Sequence, residues 1–103
     1  MNSSTFLVKV LSEPIQSLTN NNILRVEVQV QIAKSRKKKS KDQFPILLWG
    51  YLGKYFLHYY QNGDYLIVEG ILSFRKKKKK ERFEKSPLFT VLKLYPFMLI
   101  DED

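Results

Sequence analysis

Two clusters of basic side chains are the groups in this sequence of 103 residues that could bind a charged ligand. Together they hold fourteen of its eighteen lysines and arginines. Such side chains neutralise phosphate groups, and each contact with a nucleic acid releases a condensed counterion. With a formal net charge of +8, the chain is predicted to bind a polyanion, first nucleic acid and second an anionic membrane surface. The first cluster contains Lys34, Arg36, Lys37, Lys38, Lys39 and Lys41, and the second contains Arg75, Lys76, Lys77, Lys78, Lys79, Lys80, Arg82 and Lys85.

The stretch between the clusters must position them. Its first part, FPILLWG, is too short for a helix and predicts a buried strand over Phe44–Trp49. Apolar residues then recur at spacings of three and four, which predicts a helix with one apolar face that stops at Asn62-Gly63. Extended apolar character resumes at Tyr65 and predicts a strand to about Phe74, with a bulge or sharp bend at Gly70.

The flanking segments predict three further strands. Phe6–Leu11 is a short β-rich run, Ile23–Lys34 alternates apolar and polar residues, and Leu88–Leu99 is a run broken by a proline. Ser35–Asp42 and Arg75–Pro87 then become basic loops that join consecutive strands. The resulting order predicts an all-β fold with one helix between strands three and four, the five-stranded Greek-key barrel called the OB-fold. We expect a single domain over residues 1–103, with a core from about residue 5 to 100.

The barrel would bring the two basic clusters together. Its hairpins between strands two and three and between strands four and five lie beside one face, so the clusters would clamp a phosphate backbone between them. One alternative is that both clusters are solvated charge runs that keep the hairpins soluble and unpaired. Another is that the five consecutive lysines are a nuclear localisation signal. We favour nucleic-acid contact because the barrel makes both clusters converge on one face.

The single tryptophan, Trp49, is the candidate for stacking on a base. Alternation along its strand places it with Leu47 and opposite Leu48, and it leaves open which set of side chains faces the core. On the helix, we expect Tyr55 and Tyr59 to plug the bottom of the barrel rather than to stack on bases.

Composition argues against several other functions. The sequence has no cysteine, which excludes disulfides and thiolate chemistry. Its one histidine, His58, has no paired acid nearby in sequence, and no nucleophile–base pair, metal-ligand cluster or glycine-rich phosphate loop is visible. We therefore expect a non-enzymatic protein without a cofactor or metal. No secretory signal or membrane-spanning apolar run is visible, so we expect a soluble protein that is not secreted.

The segment WGYLGKYFLHYYQNGDYLIVEGILSFR resembles the core of the bacterial single-stranded DNA-binding protein (SSB) family. The resemblance covers about residues 5–100 and implies binding of single strands by stacking bases on aromatic side chains over a basic surface. At the family's stacking positions Trp49 keeps an aromatic ring, which favours an outward-facing indole, whereas Gln43 and Lys77 replace two others. The residues that match one for one are Leu52, Tyr59, Gly63, Glu69, Gly70 and Arg75.

This pattern implies that the chain has exchanged stacking for charge. The resemblance therefore implies binding of single-stranded DNA, or of RNA, with low sequence specificity, by a homodimer or homotetramer. The alternative is an accessory subunit of a replication complex, similar to the small OB-fold dimer PriB, that binds mainly protein partners and nucleic acid only weakly. Small SSB-like proteins of algal plastids and cyanobacteria are similar in size and composition, which implies a plastid stroma or a cyanobacterial cytoplasm and replication proteins as partners.

Overall fold

Six strands and one helix make up the part of the chain that the computed structural model describes, which is residues 2–33, 42–80 and 82–97. The helix has nine residues, and no helix in this part of the chain is long and apolar enough to cross a membrane. In chain order the elements are β1 (Ser4–Val10), β2 (Ile15–Leu18), β3 (Leu24–Ile32), β4 (Gln43–Trp49), α1 (Tyr51–Tyr59), β5 (Tyr65–Lys79) and β6 (Arg82–Pro96).

The strands form one sheet that closes into a barrel because β1 pairs on both of its edges. It pairs antiparallel with β5 on one edge and with β3 on the other. The order along the sheet is β1-β5-β6-β4-β3-β2, and β4 and β6 are parallel neighbours. These pairings confirm the predicted fold class, an OB-fold barrel with one helix.

The alternating residues of β3 show how the sequence directs the barrel to close. Val26, Val28 and Val30 are buried, while Glu27 and Gln29 between them point outward. This period of two gives the strand one apolar face, and every strand except β2 contributes to the core behind it. The buried core side chains are Val8, Val10, Val26, Val28, Val30, Phe44, Ile46, Leu48, Phe56, Leu66, Val68, Phe89 and Val91.

The structure has one strand more than predicted. The extra strand, β2, covers only Ile15–Leu18, and all four of its residues are exposed. It pairs with the start of β3 across a turn in which the amide of Asn22 donates to the carbonyl of Thr19. Four exposed residues beside an asparagine-rich turn carry no apolar pattern, so no periodicity predicted this strand. The helix therefore lies between the fourth and fifth strands.

The second basic cluster is not a loop, and this prediction was wrong. The ladder between β5 and β6 continues in unbroken register from Gly70 opposite Val91 to Lys79 opposite Arg82. We call residues 74–79 of β5 and 82–87 of β6 the basic ribbon. Lysine runs lack the alternation that predicts strands, but an antiparallel ladder is held by backbone hydrogen bonds that any non-proline residue can make. Except for Lys80, which lies in the turn, the basic residues of this cluster therefore lie on two paired strands.

The prediction that Tyr55 and Tyr59 plug the barrel was also wrong, since these residues are 40% and 61% exposed. Phe56 is the side chain that enters the core from α1. Gly53 decides this rotation of the helix: a Cβ there would lie 2.9 Å from Cγ2 of Val26. The helix thus packs against the barrel with the face that carries Gly53. Residues two positions before or after Gly53 in the sequence lie on the other side of the helix and face solvent.

The predicted irregularity at Gly70 is confirmed as a register shift between Glu69 and Gly70. Here β5 passes so close to β6 that a Cβ on Gly70 would clash with the carbonyl oxygen of Thr90 and lie 2.9 Å from its carbonyl carbon. Because both groups belong to the backbone, neither can move aside without breaking the ladder.

We expect Gly70→Ala to lower the free energy of unfolding by about 3 kcal/mol or more, at the upper end of the cost of overpacking. Urea denaturation followed by circular dichroism measures this change. The control is Ser4→Ala, at the exposed β1 position opposite Gly70, where we expect less than about 0.5 kcal/mol. Equal losses in the two variants would contradict the close approach at Gly70.

Candidate nucleic-acid interface

Trp49 lies on the outer face of the barrel. Ile46 and Leu48, on the opposite side of β4, belong to the core cluster, while Trp49 is 38% exposed. Leu47, on the side of Trp49, is buried as well but lies outside that cluster. The structure thus resolves the choice that alternation left open. The indole stands at the end of β4, immediately before α1, where a base could reach it from solvent.

An arginine lies beside this indole. Arg25 is the register partner of Trp49 on β3, and its guanidinium carbon is 5.9 Å from the centroid of the ring. At this distance the cation is attracted to the π-face of the ring. The contact restricts the orientation of the indole and adds a positive charge next to a potential stacking surface.

A glutamate joins this face to the basic ribbon. Glu27 accepts hydrogen bonds from both Nη atoms of Arg75, with Nη1 to Oε1 at 3.0 Å and Nη2 to Oε2 at 3.2 Å. Its Oε1 also accepts from Nη2 of Arg25 at 3.2 Å. Charge-assisted pairs with two parallel hydrogen bonds are among the strongest polar contacts in proteins, and they fix orientation as well as distance. We call Arg25, Glu27 and Arg75 the arginine bridge.

The pKa of Glu27 reflects this bridge. Hydrogen bonding from Arg75 is the largest influence and lowers the pKa below its ordinary value of 4.5, helped by the charges of Arg75 and Arg25 and opposed by burial. The side chain of Glu27 is 15% exposed and that of Arg75 is 26% exposed, so water screens the pair only in part. Above pH 4.5 the charged carboxylate therefore stabilises the fold, and this contribution is lost as the pH falls through the lowered pKa.

The reverse side of the ribbon combines exposed aromatic rings with cations. Lys76 stands directly opposite Lys85, and alternation places Phe74 and Phe83 on the same side of the ladder. All four side chains are exposed. Like charges at directly opposed positions repel each other, so this surface carries an electrostatic cost that an anion between the two lysines would relieve.

Apart from Trp49, which belongs to neither cluster, the predicted binding residues divide by cluster: those of the second lie largely within the described part of the chain, and those of the first do not. Of the second cluster, Lys76, Lys80 and Arg82 are exposed on the ribbon or at its end, and Arg75 is engaged in the arginine bridge at its base. The backbones of Lys77, Lys78 and Lys79 lie in β5, with no description of their side chains. The predictions for Lys34, Arg36, Lys37, Lys38, Lys39 and Lys41 fall outside the described residues.

Sequence reasoning missed two residues of this site, Arg25 and Glu27. Both were assigned only to the polar side of an alternating strand, where charged residues are ordinary. Glu27 and Arg75 are 48 positions apart, and no local pattern links residues at such a separation.

Metal binding has no support in the described part of the chain. Within residues 2–33, 42–80 and 82–97, no three His, Cys, Asp or Glu residues form a group that could hold a metal ion. His58 is exposed on the helix, and its ring makes an edge contact with Tyr59 at 4.6 Å.

We expect Glu27→Gln to lower the free energy of unfolding at pH 7 by about 1–3 kcal/mol, because both arginines lose a charged acceptor. The substitution should also remove the part of the acid sensitivity that begins below pH 4.5. Urea denaturation at pH 7, 5 and 3.5 measures both effects. The exposed Glu13→Gln is the matched control, with the same change of charge and no measurable loss expected. Identical behaviour of the two variants would contradict a stabilising role for the arginine bridge.

Comparison with known proteins gives consistent relatives. The chain is 34% identical to the putative single-stranded DNA-binding protein ycf41 of Trieres chinensis, over 96% of this chain and 91% of that protein. It is 31% identical to the thylakoid-associated single-stranded DNA-binding protein slr1034 of Synechocystis sp., over 82% of this chain and 66% of that protein.

Solved structures agree on the fold. The SSB domain of a Synechococcus sp. protein superposes with a TM-score of 0.72 at 20% identity, covering 92% of this chain and 94% of that one. The small single-stranded DNA-binding protein of Streptomyces coelicolor gives a TM-score of 0.72 at 13% identity, covering 94% of each chain. The model of the Single-strand binding protein family matches residues 1–93. On this match, and on its identity with the two relatives, the chain belongs to the single-strand binding protein family.

Proposed function

We propose that this chain binds single-stranded DNA, with little sequence preference, by stacking a base on Trp49 and holding phosphates with its basic residues. The observation that carries the proposal is the arginine bridge, because it holds the base of the basic ribbon against the outer face that bears Trp49. Family membership and the names of both relatives support single-stranded DNA as the ligand. The proteins of this family are non-enzymatic, which agrees with a binding function.

Stacking would take place on the exposed surface of Trp49. Flat aromatic rings stack on any base, which provides affinity without sequence readout. Because Arg25 already restrains the indole, a base that stacks on the ring would immobilise little further. The same guanidinium would also attract the phosphate of the stacked nucleotide.

The phosphates of the strand would follow the ribbon. Lys76 and Lys85 face each other across the ladder, and a phosphate between them would replace a repulsion with two attractions. In this role Arg75 acts as a positioning residue, since Glu27 occupies both of its Nη atoms. The residues of the first cluster, 34–41, are proposed as the second set of phosphate contacts, because they follow β3 and precede β4, the two strands of the Trp49 face.

The chain would act as a homodimer or homotetramer, with DNA preferred over RNA and with replication proteins as partners. The relatives are consistent with a plastid or cyanobacterial location, and one of them is thylakoid-associated by name.

Trp49 reports directly on binding, because it is the only tryptophan in the chain. We expect oligo-dT to quench its fluorescence at low salt. Trp49→Leu should weaken binding of a labelled oligo-dT by about 1–3 kcal/mol, the value of one stacked base, and Trp49→Phe should recover part of the loss. Fluorescence anisotropy of the labelled strand measures both variants.

The control for Trp49 is Tyr65→Leu. Tyr65 pairs with Lys9, whose partner on β3 is Gln31, six residues along the strand from Arg25, so its loss should weaken binding less than the loss of Trp49. An indole that is not quenched at low salt would contradict stacking. If protein partners captured with the chain in a pull-down also stayed attached after nuclease treatment, that result would favour the accessory-subunit hypothesis.

Salt dependence tests the phosphate contacts. If about half of the fourteen clustered basic residues engage, the log–log slope of affinity against salt should be roughly −5, at about −0.7 per contact. The double substitution Lys76→Gln and Lys85→Gln should reduce the slope by about 1.4. Lys9→Gln, outside the ribbon, should leave it unchanged. If the ribbon variant shows the same slope as the wild-type protein, that result would contradict a role for these two lysines.

A further inference from the structure

The solvent face of α1 carries a row of tyrosines. Tyr51, Tyr55 and Tyr59 recur at every fourth position, and Tyr51 is 87% exposed. Since Gly53 and Phe56 face the barrel, the row lies on the opposite side of the helix. Lys54 and His58, also exposed, lie beside this row on the helical wheel. We call these five residues the tyrosine face.

The tyrosine face forms an open groove with a preorganised surface. The groove has a volume of about 570 Å³ and is lined by all five residues together with Leu57. The rings of Tyr55 and Tyr59 contact each other at a centroid distance of 4.6 Å, and the ring of His58 packs edge-on against Tyr59 at 4.6 Å. These contacts restrict the rings before any ligand arrives, which lowers the entropic cost of binding.

We infer that the tyrosine face is a second stacking surface for single-stranded nucleic acid, in addition to Trp49. The inference rests on the proposed function and extends its site onto the helix. In the sequence Trp49 and Tyr51 are separated only by Gly50, so the tyrosine face begins two residues after the indole at the end of β4. From Tyr51 to Tyr59 the helix axis advances about 12 Å, enough for about three nucleotides at the rise of a stacked strand.

The chemistry of the face favours a nucleic acid over a protein partner. The residues of α1 include no aspartate or glutamate, and the two ionisable side chains beside the tyrosines, Lys54 and His58, are basic groups. The aliphatic side chains of the helix, Leu52 and Leu57, are half-buried, and only Leu57 lines the groove, so its exposed surface is mainly aromatic. Flat rings interleaved with basic groups suit stacked bases and phosphates, whereas grooves that accept protein helices are lined by mixed apolar side chains.

The experiment compares two double variants across two strand lengths. Tyr51→Leu with Tyr59→Leu keeps apolar area and helix propensity but removes two flat rings, and Tyr51→Phe with Tyr59→Phe keeps the rings. Each is titrated with oligo-dT of two lengths. About 5 nucleotides is near the lower end of the site sizes known for one OB-fold, and about 20 nucleotides exceeds their upper end. Trp49 fluorescence reports on the first stacking site in every variant.

We expect the leucine variant to lose affinity for the longer strand by about 25-fold, about fivefold for each ring, with little change for the shorter strand. The phenylalanine variant should bind both strands like the wild-type protein, and Trp49 should be quenched in all three proteins. Ultraviolet crosslinking of a strand that contains iodouridine should give adducts on Tyr51 or Tyr59 in the wild-type protein.

Two results would overturn this inference alone. The first is a leucine variant in which Trp49 is quenched normally and the preference for the longer strand equals that of the wild-type protein. The second is a change in sedimentation of the leucine variant without nucleic acid, which would show that the face joins copies of the chain. An absence of Trp49 quenching in the wild-type protein would instead overturn the proposed function, and this inference with it.

Discussion

The carboxylate of Glu27 is the contact on which the arrangement of the site depends. Beyond Gly70, β5 no longer pairs with β1, and in the described part of the chain only β6 accompanies it through the ribbon. A two-stranded ribbon is marginally stable by itself and would sample many orientations. The two hydrogen bonds from Arg75 tie its base to β3, and the third, from Arg25, links the same carboxylate to the residue beside Trp49. One acidic side chain thus sets the relation between the cationic ribbon and the aromatic surface.

Local patterns predicted the parts of the fold that depend on local physics. The alternation of β3 and the irregularity at Gly70 were both readable, because each follows from the periodicity or backbone freedom of a few neighbouring residues. The ribbon could not be predicted from the sequence, since a run of lysines shows the same sequence pattern in a loop and in a β-ladder. Nor could sequence indicate that Glu27 and Arg75 meet, because closing the barrel is what brings them together. The resemblance to the family directed attention to Trp49, and the barrel then placed this residue on its outer face.

The rotation of α1 shows how one small residue changes the role of its neighbours. Tyr55 and Phe56 are adjacent, and the spacing of apolar residues allowed either ring to enter the core. Gly53 removes the ambiguity: it lets the helix approach β3 closely at Val26, and this contact turns Phe56 inward and the tyrosines outward. Sequence alone could not show it, since a glycine inside a helix more often signals weakness than a contact surface.

Stacking and charge respond differently to ionic strength, and the proposed function places them on different surfaces. The opposed pair of Lys76 and Lys85 raises the free energy of the unbound ribbon, and a bound phosphate would relieve this repulsion. Salt screens both the repulsion before binding and the attraction after it, so the advantage of the ribbon falls quickly as salt rises. Stacking on Trp49 or on the tyrosine face has no such dependence. As ionic strength increases, binding should therefore shift from the ribbon to the aromatic surfaces, and a chain with few rings on its barrel face would need those on its helix.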